Sequence, residues 1–334
     1  MAYVYKKIVG GRNYYYLRIS QRVNGKLIVK DVAYLGNSIS EIEHKLDQLS
    51  QYKNEIRKSY RNIKKFVQSN YYLEKVKAEK LKKNPYFENK IRKELEAIKL
   101  HYNQYFMKLN ENTKKETFHH FLIDFSFNTT SLEGNTINLA DVKLLLEEGI
   151  LPAKHTLREV YDLQNTEKVF FWLIEKKPLI NEKLIVRTHD LLLEGIDLRK
   201  GYRQQEIRVF KSSFETSPVR YIKTDIKILL RWYQKNKSKL HPLVLAAIFH
   251  HKLEKIHPFA DGNGRTGRML MNYLLIRNKY PPLIVQKKRR IDYLQVLSKA
   301  DSGDLQGDDP KLYNQLITFL TEEMITSYWD NFNI

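Results

Sequence analysis

Residues 257–268 read His-Pro-Phe-Ala-Asp-Gly-Asn-Gly-Arg-Thr-Gly-Arg and run directly into a helix-like segment, 269–278. The glycines let the backbone turn with positive φ, so that successive N–H groups can point into one concavity, to which the next helix adds its positive end. Arg265 and Arg268 are three residues apart, and this spacing can place both guanidinium groups on one helix face, against phosphate oxygens. The stretch therefore predicts a polyphosphate site.

Two further side chains of this stretch suggest what the site does. Asp261 offers the hard oxygen that Mg²⁺ prefers, and Mg²⁺ on phosphates needs only one or two protein carboxylates. His257 is the one group of the stretch that can take a proton near neutral pH. The pattern is not a P-loop, and the chain has no His-Glu-x-x-His zinc motif.

The twelve residues resemble the signature of Fic-domain proteins at every position. The resemblance implies a helical fold and the transfer of a nucleotide monophosphate, usually AMP from ATP, to a hydroxyl side chain of a target protein. It implies that His257 is the general base, Asp261 the Mg²⁺ ligand and Phe259 a buried anchor. The residues that it places on the nucleotide phosphates are Gly262, Asn263, Gly264, Arg265 and Arg268.

A second short motif lies upstream, at residues 129–134. By itself it is typical of a helix end, with glycine and asparagine as C-cap residues. Beside the signature it resembles the inhibitory motif of Fic proteins, with Thr129 at its first position and Glu133 at its fifth. The resemblance implies that Glu133 pairs with Arg268, and a carboxylate on a phosphate-binding arginine competes directly with the nucleotide.

The composition limits the class of protein. The 334 residues can bury a large core, and the chain has no cysteine, which excludes a disulfide framework and thiol chemistry. The N-terminus does not read as a signal peptide, and the apolar run at 243–249 is too short to cross a bilayer. We therefore expect a cytoplasmic protein without a membrane partner.

The net charge of +20 is concentrated in the N-terminal third, where residues 1–120 hold 26 Lys and Arg against 12 Asp and Glu. Residues 3–36 read as β structure, and Asn24-Gly25 between two alternating segments predicts a type I′ hairpin. Three consecutive tyrosines, 14–16, accompany several arginines, and such a combination can bind nucleic acid. The alternative, which we favour from the sequence, is that one tyrosine face is core and the arginines are merely solvated.

Apolar residues then recur every three or four positions from Ile39 to Phe66, with a capping box predicted between Ser38 and Glu41. A second periodic segment runs from Ile91 to Leu109. The two segments can form an antiparallel helical hairpin, or a coiled-coil arm that pairs two chains in a homodimer. The sequence alone leaves both arrangements open.

Two segments closer to the signature complete the prediction. The segment from Ile207 to Tyr221 resembles the two-stranded flap that Fic proteins place over the site, and its alternative is an ordinary surface hairpin. The helix before the signature carries His250, His251 and Glu254, but no further ligand has metal-site spacing. We therefore assign no metal to these histidines and interpret them as helix-surface residues.

We predict a mainly α protein in three parts. Residues 1–37 form a small basic β-hairpin module, residues 38–110 a helical connection, and residues 111–334 the Fic catalytic domain. The predicted function is that of a protein adenylyltransferase, which uses ATP and Mg²⁺ to modify a Ser, Thr or Tyr hydroxyl of a target protein and is inhibited by Glu133. The alternatives are removal of AMP from a target, transfer of another nucleotide monophosphate, or a regulator that binds nucleic acid through its basic N-terminal third and senses nucleotide.

Overall fold

The computed structural model describes residues 1–77, 79–207 and 215–334 and confirms the mainly α fold. The sheet of the described residues consists of β1 (Ala2–Val9), β2 (Arg12–Val23) and β3 (Lys26–Gly36). The α-helices are, in chain order, α1 (Ile42–Gln48), α2 (Lys53–Lys58), α3 (Tyr60–Lys77), α4 (Asn89–Gln104), α5 (Glu111–Leu132), α6 (Leu139–Glu148), α7 (Leu157–Lys176), α8 (Glu182–Leu192), α9 (Ile222–Asn236), α10 (Pro242–Ile256), α11 (Asn263–Arg277), α12 (Arg290–Ala300) and α13 (Pro310–Asn331).

The N-terminal sheet is an antiparallel meander in the order β1-β2-β3. Asn24 and Gly25 have φ angles of 49° and 77°, as a type I′ turn requires, so the predicted hairpin is confirmed. Strand β1 pairs with β2 along its whole length and makes the module a three-stranded sheet rather than a single hairpin. One sheet face packs against α3, where Tyr15 and Leu17 share a small core with Ile63.

The capping box predicted after the sheet is wrong. The Ser38 hydroxyl lies 2.7 Å from the Ser40 hydroxyl and caps no helix, because it is used by this neighbour. The first periodic segment is divided into two short α-helices, α1 and α2, and turns of 3₁₀ helix before α3 begins at Tyr60. Helix α3 then packs on α4, and α4 packs on α13, so the periodic segments form a helical hairpin within the chain.

The main core surrounds α10. Pro242 begins this helix, the His241 imidazole accepts a hydrogen bond from the Leu243 N–H at 3.2 Å, and every residue from there to Leu253 is buried. Helix α11 packs along α10 and is buried from Asn263 to residue 275. Because both helices are enclosed by neighbours, the short loop between them is held at both ends.

Most of the predicted flap cannot be compared with the structure, because residues 208–214 lie outside the described residues. Residues 219–221 form a turn of 3₁₀ helix. None of the described helices is both long enough and apolar enough to cross a lipid bilayer.

Candidate active site

The loop between α10 and α11 places His257 at the point where α10 ends. This residue has a left-handed backbone with φ of 50°, which turns the chain out of the helix. Its Nδ1 lies 3.1 Å from the carbonyl oxygen of Glu254. This contact assigns the proton to Nδ1 and leaves Nε2 as a lone-pair acceptor. Burial lowers the pKa of the His257 imidazole, so the ring is neutral at neutral pH.

A buried anchor fixes the loop, as the signature predicts for Phe259. The Phe259 ring is fully buried and stacks on the His189 imidazole, with ring centres 3.8 Å apart. The Asn263 side chain accepts from the Phe259 N–H and donates to its carbonyl oxygen, both at 2.9 Å. Since this amide is used inside the loop, Asn263 has its backbone N–H rather than its side chain to offer a ligand.

The glycines of the loop bring backbone close to other groups. Gly262 has a φ of 73°, and a Cβ there would lie 2.6 Å from Leu193 Cδ2. Gly264 lies in the first turn of α11, where a Cβ would clash with the Glu133 carboxylate. The carboxylate of Glu133 therefore occupies the N-terminal end of α11, where a helix favours an anion.

Arg268 is held at the same place by residues from the end of α5. Its side chain is 4% exposed, and its Nε donates to Thr129 Oγ1 at 2.8 Å. Its Nη2 donates to the Thr129 carbonyl oxygen at 3.0 Å and to Glu133 Oε1 at 2.7 Å. Burial disfavours the charged guanidinium, but the charge and hydrogen bond of Glu133, together with Tyr293 and Glu254, outweigh it and raise the pKa of Arg268.

Arg265 does not join Arg268, although the sequence predicted that both would face the phosphates. Its guanidinium is paired with Asp162 of α7 and lies 3.3 Å from Asp261 Oδ2. These carboxylates, rather than Glu133, are the partners of the Arg265 side chain. Of the two arginines, Arg268 is the one that lines the cavity described below.

Asp261 is surrounded by hydrogen-bond donors and cations. Its Oδ1 accepts from the Gly262 N–H at 2.6 Å, and its Oδ2 is paired with Arg158. Burial acts to raise the pKa of the Asp261 carboxyl, but Arg265, Gly262 and Arg158 together lower it, so the group is ionised. Among the described residues, no three His, Cys, Asp or Glu side chains converge on one point as a metal site. The donor set therefore suits an ion that takes most of its ligands from phosphates and water.

These groups share one cavity of about 350 Å³. Its lining includes Glu133, His257, Asp261, residues 262–264 and Arg268. A second wall comes from α12, with the apolar Leu294 and Leu297 beside Tyr293 and Arg290, a chemistry suited to the ring of a nucleoside. The sequence did not assign α12 to the site.

Two functional candidates were missed in the sequence. Glu254 lines the cavity, its Oε1 is buried without a hydrogen-bond partner among the described residues, and burial raises its pKa to about 8. Its position three residues before His257, on the same helix face, was the available signal. The sequence analysis interpreted His250 and His251 as surface residues, but both are buried because α10 is enclosed on all sides. His250 is hydrogen-bonded to Tyr293, and His251 is hydrogen-bonded to Asp301.

Arg203 is the second missed residue. Its backbone N–H donates to the Pro258 carbonyl oxygen and its Nε to the His257 carbonyl oxygen, both at 3.0 Å. Its Nη2 donates to the Ser217 carbonyl oxygen. The buried side chain thus connects the signature loop to both sides of the segment predicted as a flap.

Comparison with known proteins agrees with this geometry. Residues 179–275 match the sequence profile of the Fic/DOC family. The chain is 32% identical over 195 residues to the protein adenylyltransferase Fic of Aedes aegypti, covering 55% of this chain and 38% of that protein. It is 31% identical over 207 residues to the protein of the same name from Nematostella vectensis, covering 60% and 47%. The chain thus spans less than half the length of these curated relatives.

Solved structures show the same fold. A Fic domain containing signaling protein from Bacteroides thetaiotaomicron superimposes with a TM-score of 0.62 at 24% identity, covering 70% of this chain and 94% of that one. Fic-1 from Caenorhabditis elegans superimposes with a TM-score of 0.57 at 21% identity, covering 86% and 76%. With the family match at 179–275 and the signature at 257–268 inside it, this part of the chain belongs to the Fic/DOC family.

Proposed function

We propose that this chain is a protein adenylyltransferase, which transfers AMP from ATP to a Ser, Thr or Tyr hydroxyl of a target protein. The proposal assigns catalysis to residues 111–334 and the linkage to the N-terminal sheet to residues 38–110. It is supported by relatives named protein adenylyltransferase, and by the fold that the chain shares with Fic-domain proteins.

The observation that carries the proposal is the buried Arg268 guanidinium at the N-terminal end of α11, in contact with the Glu133 carboxylate at 2.7 Å. A buried arginine beside a helix N-terminus is a strong anion site. Here a carboxylate of the chain takes the anion's place, within the cavity that also holds His257. A nucleotide with terminal phosphates fits this site when Glu133 leaves it.

His257 acts as the general base in this proposal. Its neutral ring with an available Nε2 takes the proton of the target hydroxyl as that oxygen attacks the α-phosphorus of ATP. The new O–P bond forms as the bond between the α-phosphorus and the bridging oxygen breaks, and pyrophosphate leaves. The helix N-terminus and Arg268 stabilise the negative charge of the phosphates.

Asp261 is the residue that would hold Mg²⁺ in this proposal, by one carboxylate oxygen. The ion would neutralise phosphate charge. Because Oδ2 is paired with Arg158 and Oδ1 accepts from the Gly262 N–H, the chain's own contacts keep the carboxylate ionised and oriented.

Glu133 inhibits the reaction in this proposal, because its carboxylate and the terminal phosphate of ATP compete for Arg268. Replacement by glycine removes the competing group and leaves the two Thr129 contacts of Arg268 in place. The Glu133→Gly variant is therefore expected to transfer AMP faster than the wild type.

The test is incubation with Mg²⁺ and ATP labelled at the α-phosphate, followed by gel labelling and intact-mass measurement. Lysate proteins and the chain itself serve as acceptors. We expect Glu133→Gly to add the mass of one AMP, and the double variant with His257→Ala to add none. His44→Ala, at an exposed histidine of α1, is the matched control and keeps the transfer. Label from γ-labelled ATP instead, or full transfer in the double variant, contradicts the proposal.

A further inference from the structure

The N-terminal sheet has one face that points away from its core against α3, and at its edge Lys45 of α1 lies 5.7 Å from the centre of the Tyr34 ring. In the register of the sheet, Tyr5 pairs with Tyr16, Lys7 with Tyr14, and Tyr16 with Tyr34. Since paired residues point to the same side and alternate residues to opposite sides, these side chains share one surface. We define this outer face by Tyr3, Tyr5, Lys7, Arg12, Tyr14, Tyr16, Arg18, Arg22 and Tyr34.

The outer face is not needed for the core. The opposite face supplies the buried residues, with Tyr15 and Leu17 at 0% exposure against α3. Tyr34 on the outer face is 50% exposed, and Tyr14 and Tyr16 are half-buried by their neighbours in the sheet. The interpretation favoured from the sequence was that one tyrosine face is core, and Tyr15 lies on that face, whereas Tyr14 and Tyr16 lie on the opposite one.

The tyrosines form a continuous aromatic surface. The ring centres of Tyr16 and Tyr34 are 5.3 Å apart, and those of Tyr14 and Tyr34 are 6.5 Å apart. The Arg18 guanidinium carbon lies over the Tyr5 ring, 3.3 Å from its centre. Flat rings supported by a sheet are platforms on which unpaired bases stack, whatever their sequence.

The charge of the outer face is complementary to phosphate. Lys7, Arg12 and Arg22 are exposed along one strand pair. The first acidic residue of the chain is Asp31, and its carboxylate is already paired with Arg18. A basic rim around clustered, mutually tilted aromatic rings combines the two features that bind a single strand: cations for its backbone and rings for its bases.

We propose that the outer face binds single-stranded nucleic acid, with bases stacked on Tyr14, Tyr16 and Tyr34 and phosphates on Lys7, Arg12 and Arg22. A duplex fits less well, because its bases are already stacked and cannot reach the tyrosines. An acidic peptide would use the cations but not the array of rings. This binding is independent of the proposed AMP transfer, since the outer face and the cavity have no residue in common.

The test is fluorescence anisotropy of the full chain with labelled probes of about 12 nucleotides. The probes are oligo(dT), oligo(U), a hairpin duplex and a polyglutamate peptide. We expect binding to one or both single strands at low salt. The proposal is overturned if the duplex or polyglutamate binds as tightly as the better of the two single strands. It is also overturned if neither single strand binds.

Variants separate stacking from charge. Tyr14→Thr with Tyr34→Thr keeps β propensity while removing two rings, and is expected to weaken single-strand binding by about tenfold or more. Arg12→Glu with Arg22→Glu is expected to weaken binding and to reduce its dependence on salt. Tyr60→Thr, at the start of α3, is the control for the loss of rings. Lys235→Glu with Lys237→Glu, at the end of α9, is the control for the change of charge. All three positions are exposed and lie outside the sheet. Thermal melts check that each variant is folded, and unchanged binding by folded outer-face variants contradicts the proposal.

Discussion

The contact between Glu133 and Arg268 gives the sharpest prediction. Glu133→Gln removes the charge but keeps the shape of the side chain, so the end of α5 and the Thr129 contacts stay as they are. Under the proposed function, ATP must displace the Glu133 carboxylate before its terminal phosphate reaches Arg268. The variant therefore binds ATP more tightly.

The structure sets the size of this effect. A hydrogen bond to a charged group contributes about 1.5–3 kcal/mol when it is well made and shielded. Arg268 is almost fully buried, but the Glu133 side chain is 39% exposed, and water screens its charge in part. We therefore use the lower part of that range, about 1.5–2 kcal/mol, which corresponds to roughly a 10- to 30-fold lower Kd.

The assay is isothermal titration calorimetry of the wild type and Glu133→Gln with ATP and, separately, with AMP. AMP lacks the terminal phosphates, so its Kd should be the same for both proteins. Glu111→Gln is the matched control, since Glu111 lies at the other end of α5 and pairs with Lys114 in solvent. Its Kd for ATP should equal that of the wild type.

Two results would refute the reasoning. Equal ATP affinity in the wild type and Glu133→Gln would mean that the carboxylate does not compete with the nucleotide. An equal gain for ATP and AMP would mean that Glu133 repels any anion from a distance, without occupying the terminal phosphate position on Arg268.

Three further predictions follow from the site. Because burial lowers the pKa of His257, the acid limb of the pH–rate profile for AMP transfer should have its midpoint below 6.5, and a midpoint above 6.5 contradicts a buried neutral base. The unfolded chain ionises Glu254 near pH 4.5 but the folded chain only near pH 8, so wild-type stability falls across this window. Glu254→Gln has no group that ionises in this window, so its free energy of unfolding at pH 7 should exceed that of the wild type by about 3 kcal/mol in denaturant melts. Glu43→Gln, at an exposed position, is the control. In Gly262→Ala the new Cβ is strained by the φ of 73° and clashes with Leu193. The free energy of unfolding should therefore fall by about 2 kcal/mol or more, and ATP binding should weaken. A wild-type Tm in this variant contradicts the tight turn.

The sequence predicted well where a local rule determines the structure. Asn24-Gly25 specified its turn because few residues accept two consecutive positive φ angles. The signature placed a loop between two buried helices, although α11 already begins at Asn263, inside the signature. It also predicted that Glu133 and Arg268 meet, although they are 135 residues apart, because a family motif carries long-range information.

The errors concern side chains whose direction depends on distant partners. Spacing alone put Arg265 beside Arg268, whereas Asp162 from α7 draws it away. His250 and His251 were predicted to lie on the surface, and this was wrong because the partners that cover them, Tyr293 and Asp301, are remote in sequence. Arg203 had no local signal, since its role comes from the carbonyl oxygens of His257 and Ser217, which are remote from it in sequence.

The position of Glu133 determines how inhibition is relieved in the proposed function. Helix α5 is fixed in the core by Phe121, Leu122 and Phe125, and Glu133 is the first residue beyond its end. A carboxylate is unfavourable at the negative end of a helix, and its contact with Arg268 offsets that cost. Releasing Glu133 therefore requires the rotation of one half-exposed side chain rather than the departure of a helix.

Arg268 does not move with it, because its two hydrogen bonds to Thr129 come from the fixed part of α5. The release changes the charge of the site while leaving its geometry prepared for phosphate, and such preorganised groups stabilise a transition state without further rearrangement. For this reason we expect Glu133→Gln to change ATP affinity far more than Tm. A large loss of Tm in that variant would show instead that Glu133 helps to hold α5 in place.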